Sequence, residues 1–246
     1  MTSYGPGVDR SCALGLIGAA CALHSLGLSV ANSGNVSMRY DQGFLITPSA
    51  VLYEQLAPQD IVYVSLEGNS RRDKQEPLIL AGKCEPSSEW RIHRDIYRVR
   101  AEAGAIVHAH SRYCTALSCL RQQIPAFHYM VAKAGGDSIR CARYATFGTQ
   151  ALSDAVVAAL DERKACLMAN HGMLALGADL QAALLLAQET ESLAAQYCTA
   201  LSFGAALGVK PVLIAADEMA RVVGKFAGYG QLTNGQQTNG RQTEEK

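Results

Sequence analysis

Apolar positions recur at helical spacing over residues 11–26, with Ala13, Ile17, Ala20, Cys21 and His24 on one stripe. The pattern stops at Gly27, a residue suited to the positive φ of a helix end. Residues 36–40 and 43–47, separated by Asp41 and Gln42, predict a hairpin, and residues 60–64 another short strand. The stretch 67–76 is charged and carries Gly68-Asn69-Ser70, which marks an exposed turn before an apolar strand at 78–80. Helical patterning at 87–100 is followed by a β-like run at 105–110, a helix at 113–120, a strand at 165–169 and a long helix at 179–200. The whole of 1–229 reads as one folded unit. Residues 230–246 are rich in Gln, Asn, Thr and Gly, repeat Thr-Asn-Gly at 233–235 and 238–240, and read as a disordered tail.

Composition narrows the possibilities. A chain of 246 residues that is 49% hydrophobic can bury a full core without a disulfide scaffold. Twenty-two basic side chains balance twenty-two acidic ones, so the long-range field expected of a nucleic-acid or acidic-membrane binder is missing. Eight cysteines with no CxxC pair read as small core hydrophobes in a reducing, cytoplasmic setting. Residues 12–23 form an uncharged apolar run behind Arg10 that could pass for the core of a secretion signal. Asp9 before it, His24 after it and the helical spacing identify a packed helix instead. No stretch reaches the roughly 18 apolar residues that a membrane span requires.

Candidate chemistry lies in histidines. His108 and His110 end an apolar β-like run, and because strand side chains alternate, both imidazoles project to one side. A strand histidine is more often a hydrogen-bonded structural residue than a ligand, so further donors are needed. His171, after the apolar run 166–169, supplies a third imidazole at a strand exit, with Gly172 leaving room beside it. Glu89 opens a helix directly after Pro86-Ser87-Ser88, where an ordinary first-turn acid would also be at home. His93 shares its helix face and is a rival ligand, and spacing alone does not choose between the two. Three neutral imidazoles and a carboxylate suit Zn²⁺, one ion per subunit, with another divalent metal also compatible.

Taken together, these motifs resemble the class II aldolase/adducin family. The likeness is carried by Ser33-Gly34-Asn35-Val36-Ser37, Ile46-Thr47-Pro48-Ser49, Pro86-Ser87-Ser88-Glu89, Val107-His108-Ala109-His110 and Asn170-His171-Gly172. The runs His128-Tyr129-Met130, Ala134-Gly135-Gly136 and 141–148 are similar to the L-fuculose-1-phosphate aldolase branch in particular. The resemblance implies an α/β fold: a three-layer α/β/α sandwich on a central mixed, largely antiparallel sheet. It also implies a homotetramer with active sites between neighbouring subunits.

The resemblance further implies that Glu89, His108, His110 and His171 hold the metal, and it returns His93 to a structural role. Gly34, Asn35, Ser49, Ala50, Ser87 and Ser88 match the substrate phosphate and hydroxyl pocket. Tyr129, Phe147 and Tyr229 match the positions that handle the aldehyde end. Two positions depart from the pattern: Ala50 stands where glycine is usual, and Asn32 where threonine is commoner.

The implied reaction is cleavage of a ketose 1-phosphate to dihydroxyacetone phosphate and an aldehyde. The ion acts as electron sink, so no lysine Schiff base is needed and Lys83 and Lys133 are surface residues. Glu89 moves the proton and Tyr129 steadies the aldehyde oxygen, while Phe147 packs on the carbon chain and Tyr229 closes over it. The far end of the sugar stays open between L-fuculose 1-phosphate and the 5-deoxy- or 5-methylthioribulose 1-phosphates of nucleoside salvage. An epimerase or dehydratase of the same family, or a non-catalytic adducin-like interaction module, are the competing readings.

Overall fold

Successive side chains of a strand face opposite ways, so a sheet buried on both sides needs strands that are apolar at nearly every position. This chain has them. In the computed structural model, which describes residues 8–30, 33–67 and 79–229, strands β1 (Gly34–Tyr40), β2 (Gly43–Ile46), β3 (Val62–Ser65), β4 (Ile79–Ala81), β5 (Ala105–Ala109), β6 (Arg140–Ala142), β7 (Ala165–Met168) and β8 (Gly172–Gly177) form one sheet in the order β4-β3-β2-β1-β5-β8-β7-β6. Every pairing is antiparallel except β6 with β7.

Two cores result. Leu45, Val107, Leu167 and Met173 face helices α1 (Arg10–Ser25), α3 (Arg112–Cys119), α5 (Leu180–Leu207) and α6 (Ala216–Tyr229). Their strand neighbours Phe44, Ile46, Ile106, Met168 and Leu174 face α2 (Trp90–Val99) and α4 (Gln150–Ala159). The outcome is the three-layer α/β/α sandwich with a mixed, largely antiparallel sheet. Asp95 locks the second helix layer together, accepting from Ser153 Oγ at 2.8 Å and Gln150 Nε2 at 2.6 Å.

Most predicted elements are present. The Asp9 carboxylate caps α1 by accepting from the Ser11 amide at 2.7 Å, and Gly27 has φ +67° just past its end. The buried stripe is rotated from the predicted one: Ala13, Leu16, Ala19, Ala20 and Leu23 are buried, Ile17 and Cys21 are half-buried, and His24 is exposed. The hairpin turns at Asp41 and Gln42, pairing Tyr40 with Gly43. The long helix runs seven residues further than predicted, to Leu207.

Among the described residues, two strands and two α-helices have no counterpart in the sequence reading. They are β6, α4, α6 and β8, the last an apolar run bounded by glycines that directly follows the His171 turn. All eight cysteines are free. No helix among the described residues is long and apolar enough to cross a membrane. Asn32, most of the predicted charged turn, Leu78 and the predicted tail from residue 230 lie outside the described residues.

Candidate metal centre and active site

Strand register brings the histidines together. His108 pairs with Leu174 across β5 and β8, and Ala109 with Met173, so the tight turn at 169–171 that joins β7 to β8 carries His171 to the end of β5. Asn170 in that turn has φ +55°. Gly172 is required by close approach. A Cβ there would lie 2.4 Å from Ala109 O and 3.0 Å from His110 Cδ2. His108 lies on the α2 side of the sheet with Ile106, and the N-terminus of α2 presents Glu89 to it. Glu89 stands at the helix cap position but makes no capping bond; its carboxylate turns toward the imidazoles.

The four donors converge. His108 Nε2 is 3.0 Å from both His110 Nε2 and Glu89 Oε2, and His171 Nε2 is 3.4 Å from Glu89 Oε1. The His108, His110 and His171 rings stand edge to face with centroids 4.8 to 4.9 Å apart. Donors around a tetrahedral ion at about 2.1 Å lie about 3.4 Å apart, close to these spacings.

Chemistry argues the same way. His108 Nδ1 donates to Met173 O at 2.9 Å, which leaves the neutral ring's Nε2 lone pair facing His110 and a carboxylate. Such an acceptor cluster is satisfied by a cation. The residues therefore fit a divalent metal, with His108, His110 and His171 as the ligand group and Glu89 beside them.

The charge states suit ligation. Burial, reinforced by the neighbouring imidazoles and opposed by Glu89, pushes His110 down to about 4, and burial with His108 does the same for His171, so both rings are neutral near pH 7. Burial lowers His108 too, but Glu89 and the Met173 carbonyl outweigh it and the net shift is upward. Burial raises the Glu89 carboxyl, yet His108, His171 and Asn35 together hold it well below the usual carboxylate range. His93 is not among these donors. Its Nε2 lies 2.5 Å from Asn35 Oδ1 and its Nδ1 2.6 Å from Ser37 Oγ, and burial pushes it down to about 3.

The motif stretches at the same end of the sheet are stitched together. Pro48 and Pro86 form an antiparallel bridge, Ser87 N donates to Thr47 O at 3.1 Å, and Ser49 N donates to Glu85 O at 2.9 Å. Gly34 begins β1 with φ +115°, where a Cβ would lie 2.6 Å from His108 O, so only glycine lets the two strands close here. Asn35 is buried and donates from Nδ2 to Glu89 Oε2 at 3.1 Å. Ser49, Ala50 and Ser88 are exposed, and Ser87 is buried. Ala50 has φ +59°, which gives a physical reason for the glycine usual at that position.

A cavity of about 330 Å³ opens over Glu89, His110 and His171 and is also lined by Ser88, Tyr144, Ala145, Phe147 and Asn170. Arg91, on α2, donates to Gly148 O at 2.7 Å and so ties the Phe147 loop to the helix that carries Glu89. Tyr144 was not singled out in the sequence; only its place two residues after β6, itself unpredicted, reveals it. Tyr129 does not line this cavity. It stacks on Phe226 of α6, with centroids 6.4 Å apart and planes 9° from parallel. Tyr229 is the last residue of that helix.

Comparisons with known proteins give the family. A sequence model described as Class II Aldolase and Adducin N-terminal domain matches residues 15–198. The chain is 47% identical over 92% of its length to a 5-methylthioribulose-1-phosphate/5-deoxyribulose-1-phosphate aldolase of Rhodospirillum rubrum, of which it covers 95%. It is also 47% identical over 83% of its length to the L-fuculose phosphate aldolase of Escherichia coli K12, covering 89% of that protein. A solved L-fuculose 1-phosphate aldolase superposes with a TM-score of 0.80 at 36% identity, over 89% of this chain and 98% of that one. The protein therefore belongs to the class II aldolase and adducin family, and within it to the enzymes, as a class II aldolase and carbon–carbon lyase.

Proposed function

We propose that this aldolase cleaves a ketose 1-phosphate to dihydroxyacetone phosphate and an aldehyde, with one Zn²⁺ per subunit held by Glu89, His108, His110 and His171. The observation that carries the reading is the convergence of one carboxylate and three imidazoles beneath an open cavity. Relatives that match at 47% identity are named for L-fuculose phosphate and for 5-methylthioribulose and 5-deoxyribulose 1-phosphates, sugars that share a phosphate end. When bound, the ion supplies a Lewis acid for the negative charge that develops as the C3–C4 bond breaks.

The chain's own groups do the rest. The phosphate sits against Gly34, Asn35, Ser49, Ala50, Ser87 and Ser88, where the positive end of the α2 dipole and the serine hydroxyls favour a dianion. Glu89 takes up the proton that the C4 hydroxyl releases as the C3–C4 bond breaks and returns it to C3 of the enediolate, a task open to a carboxylate held ionised beside the histidines. Phe147 covers the carbon chain. Tyr129 donates to the aldehyde oxygen and Tyr229 closes over it, both reaching the cavity from a neighbouring subunit of a homotetramer; Tyr129 lies outside its own chain's cavity. Eight free cysteines accord with a cytoplasmic setting.

The test is a coupled assay for dihydroxyacetone phosphate over a panel of L-fuculose, 5-deoxyribulose and 5-methylthioribulose 1-phosphates, run before and after chelation. Cleavage of at least one sugar, lost on chelation and restored by zinc, is the expected result. Epimerised sugar without dihydroxyacetone phosphate, or full turnover in chelator, would overturn the proposal.

A further inference from the structure

Behind Glu89, on the side away from the cavity, four buried polar residues form a single file between the sheet and α2. Tyr97 OH lies 2.8 Å from Ser37 Oγ, and Ser37 Oγ 2.6 Å from His93 Nδ1. His93 Nε2 lies 2.5 Å from Asn35 Oδ1, and Asn35 Nδ2 3.1 Å from Glu89 Oε2. None of the four is more than 3% exposed.

The direction of every hydrogen bond is forced from the carboxylate end. An ionised Glu89 only accepts, so the Asn35 amide nitrogen faces it and the amide oxygen faces His93. His93 must then carry its proton on Nε2, and its bare Nδ1 accepts from Ser37. The single Ser37 hydroxyl proton is thereby used, so Tyr97 donates to Ser37.

The file ends on one oxygen only. Oε2 of Glu89 accepts from Asn35 and also lies 3.0 Å from His108 Nε2, whereas Oε1 is buried without a hydrogen-bond partner and lies 3.4 Å from His171 Nε2. A histidine needed merely for packing would be cheaper as an apolar residue here, because Phe44, Ile92 and Ile96 belong to the surrounding core. We propose that His93 is a positioning residue: acting through Asn35 on Oε2, it fixes the rotation of the Glu89 carboxylate so that Oε2 faces His108 and Oε1 faces His171. The inference rests on the reading of Glu89 as the group beside the metal.

The amide of glutamine reproduces the Nε2 donor of histidine, and the shorter amide of asparagine reproduces only the Nδ1 side. His93→Asn is therefore expected to lower kcat and the zinc affinity of the apoprotein by about 10- to 100-fold with KM within about twofold. His93→Gln should retain both within about threefold. Each variant loses one hydrogen bond, so their melting temperatures should fall together. Equal kcat and equal zinc affinity in the two variants would make His93 a packing residue and overturn the proposal.

Should neither variant fold, Ser37→Ala decides. It removes the hydroxyl that fixes the His93 tautomer, and a fall of about 3- to 10-fold in kcat and zinc affinity supports the tether, whereas wild-type values overturn it. Normal cleavage by Glu89→Gln would remove the parent reading and this one with it. Normal cleavage by His93→Asn beside an inactive Glu89→Gln would remove this one alone.

Discussion

The two ends of the cavity are built differently. At the metal end His108 is 1% exposed and Glu89 6%, both are carried on the central sheet or the helix packed on it, and each is held by a buried partner. At the other end Phe147 is 66% exposed and Tyr144 57%, both on the loop after an edge strand; Tyr129, outside this cavity, is 50% exposed and packs against α6. Bond cleavage demands groups fixed to within fractions of an ångström, which a sheet with both faces buried provides. The loop end, where the aldehyde is proposed to sit, needs only complementary shape, and loops alter that cheaply. Relatives named for different sugars are therefore compatible with one metal end.

Four substitutions sharpen or break this contrast. Glu89→Gln keeps the shape and removes the charge, and kcat should fall by roughly 10²- to 10⁴-fold with zinc still bound, read by steady-state cleavage and metal analysis. An unchanged rate would mean that the buried end is scaffold only. Gly172→Ala forces a methyl group against Ala109 O and His110; zinc affinity should drop by roughly 10- to 100-fold in a chelator competition. Tyr129→Phe removes one neutral hydrogen bond to the aldehyde oxygen that all the sugars share and should slow cleavage about fivefold across the ketose 1-phosphate panel. A loss confined to one sugar would show that this tyrosine reads the far end of the substrate instead. Ala50→Gly relieves a left-handed alanine and should raise stability by about 0.5–1 kcal/mol, seen as a Tm higher by about 1–4 °C.

Local pattern made much of the frame legible. The hairpin turn at Asp41 and Gln42, the His108/His110 strand and the α2 start at Glu89 each follow from a few neighbouring residues. The overlooked elements fail for identifiable reasons. β6 is only three residues long, and β8 is apolar at almost every position, so it carries no period to read. The rotated stripe of α1 reflects a helix apolar on most sides, whose buried face only packing selects.

By itself the sequence determined the inventory: which donors exist, that charge is balanced, and, through the motif resemblance, which family they serve. It could not choose between Glu89 and His93 by spacing, because both lie on one helix face. The motif resemblance made that choice, and tertiary structure decided where the two residues sit, by register. Pairing β1 with β5 sets Asn35 opposite His108, and Asn35 then separates the two rivals, its amide nitrogen to Glu89 and its oxygen to His93. Contacts between residues more than fifty positions apart leave no local periodicity, so only the folded sheet reveals them.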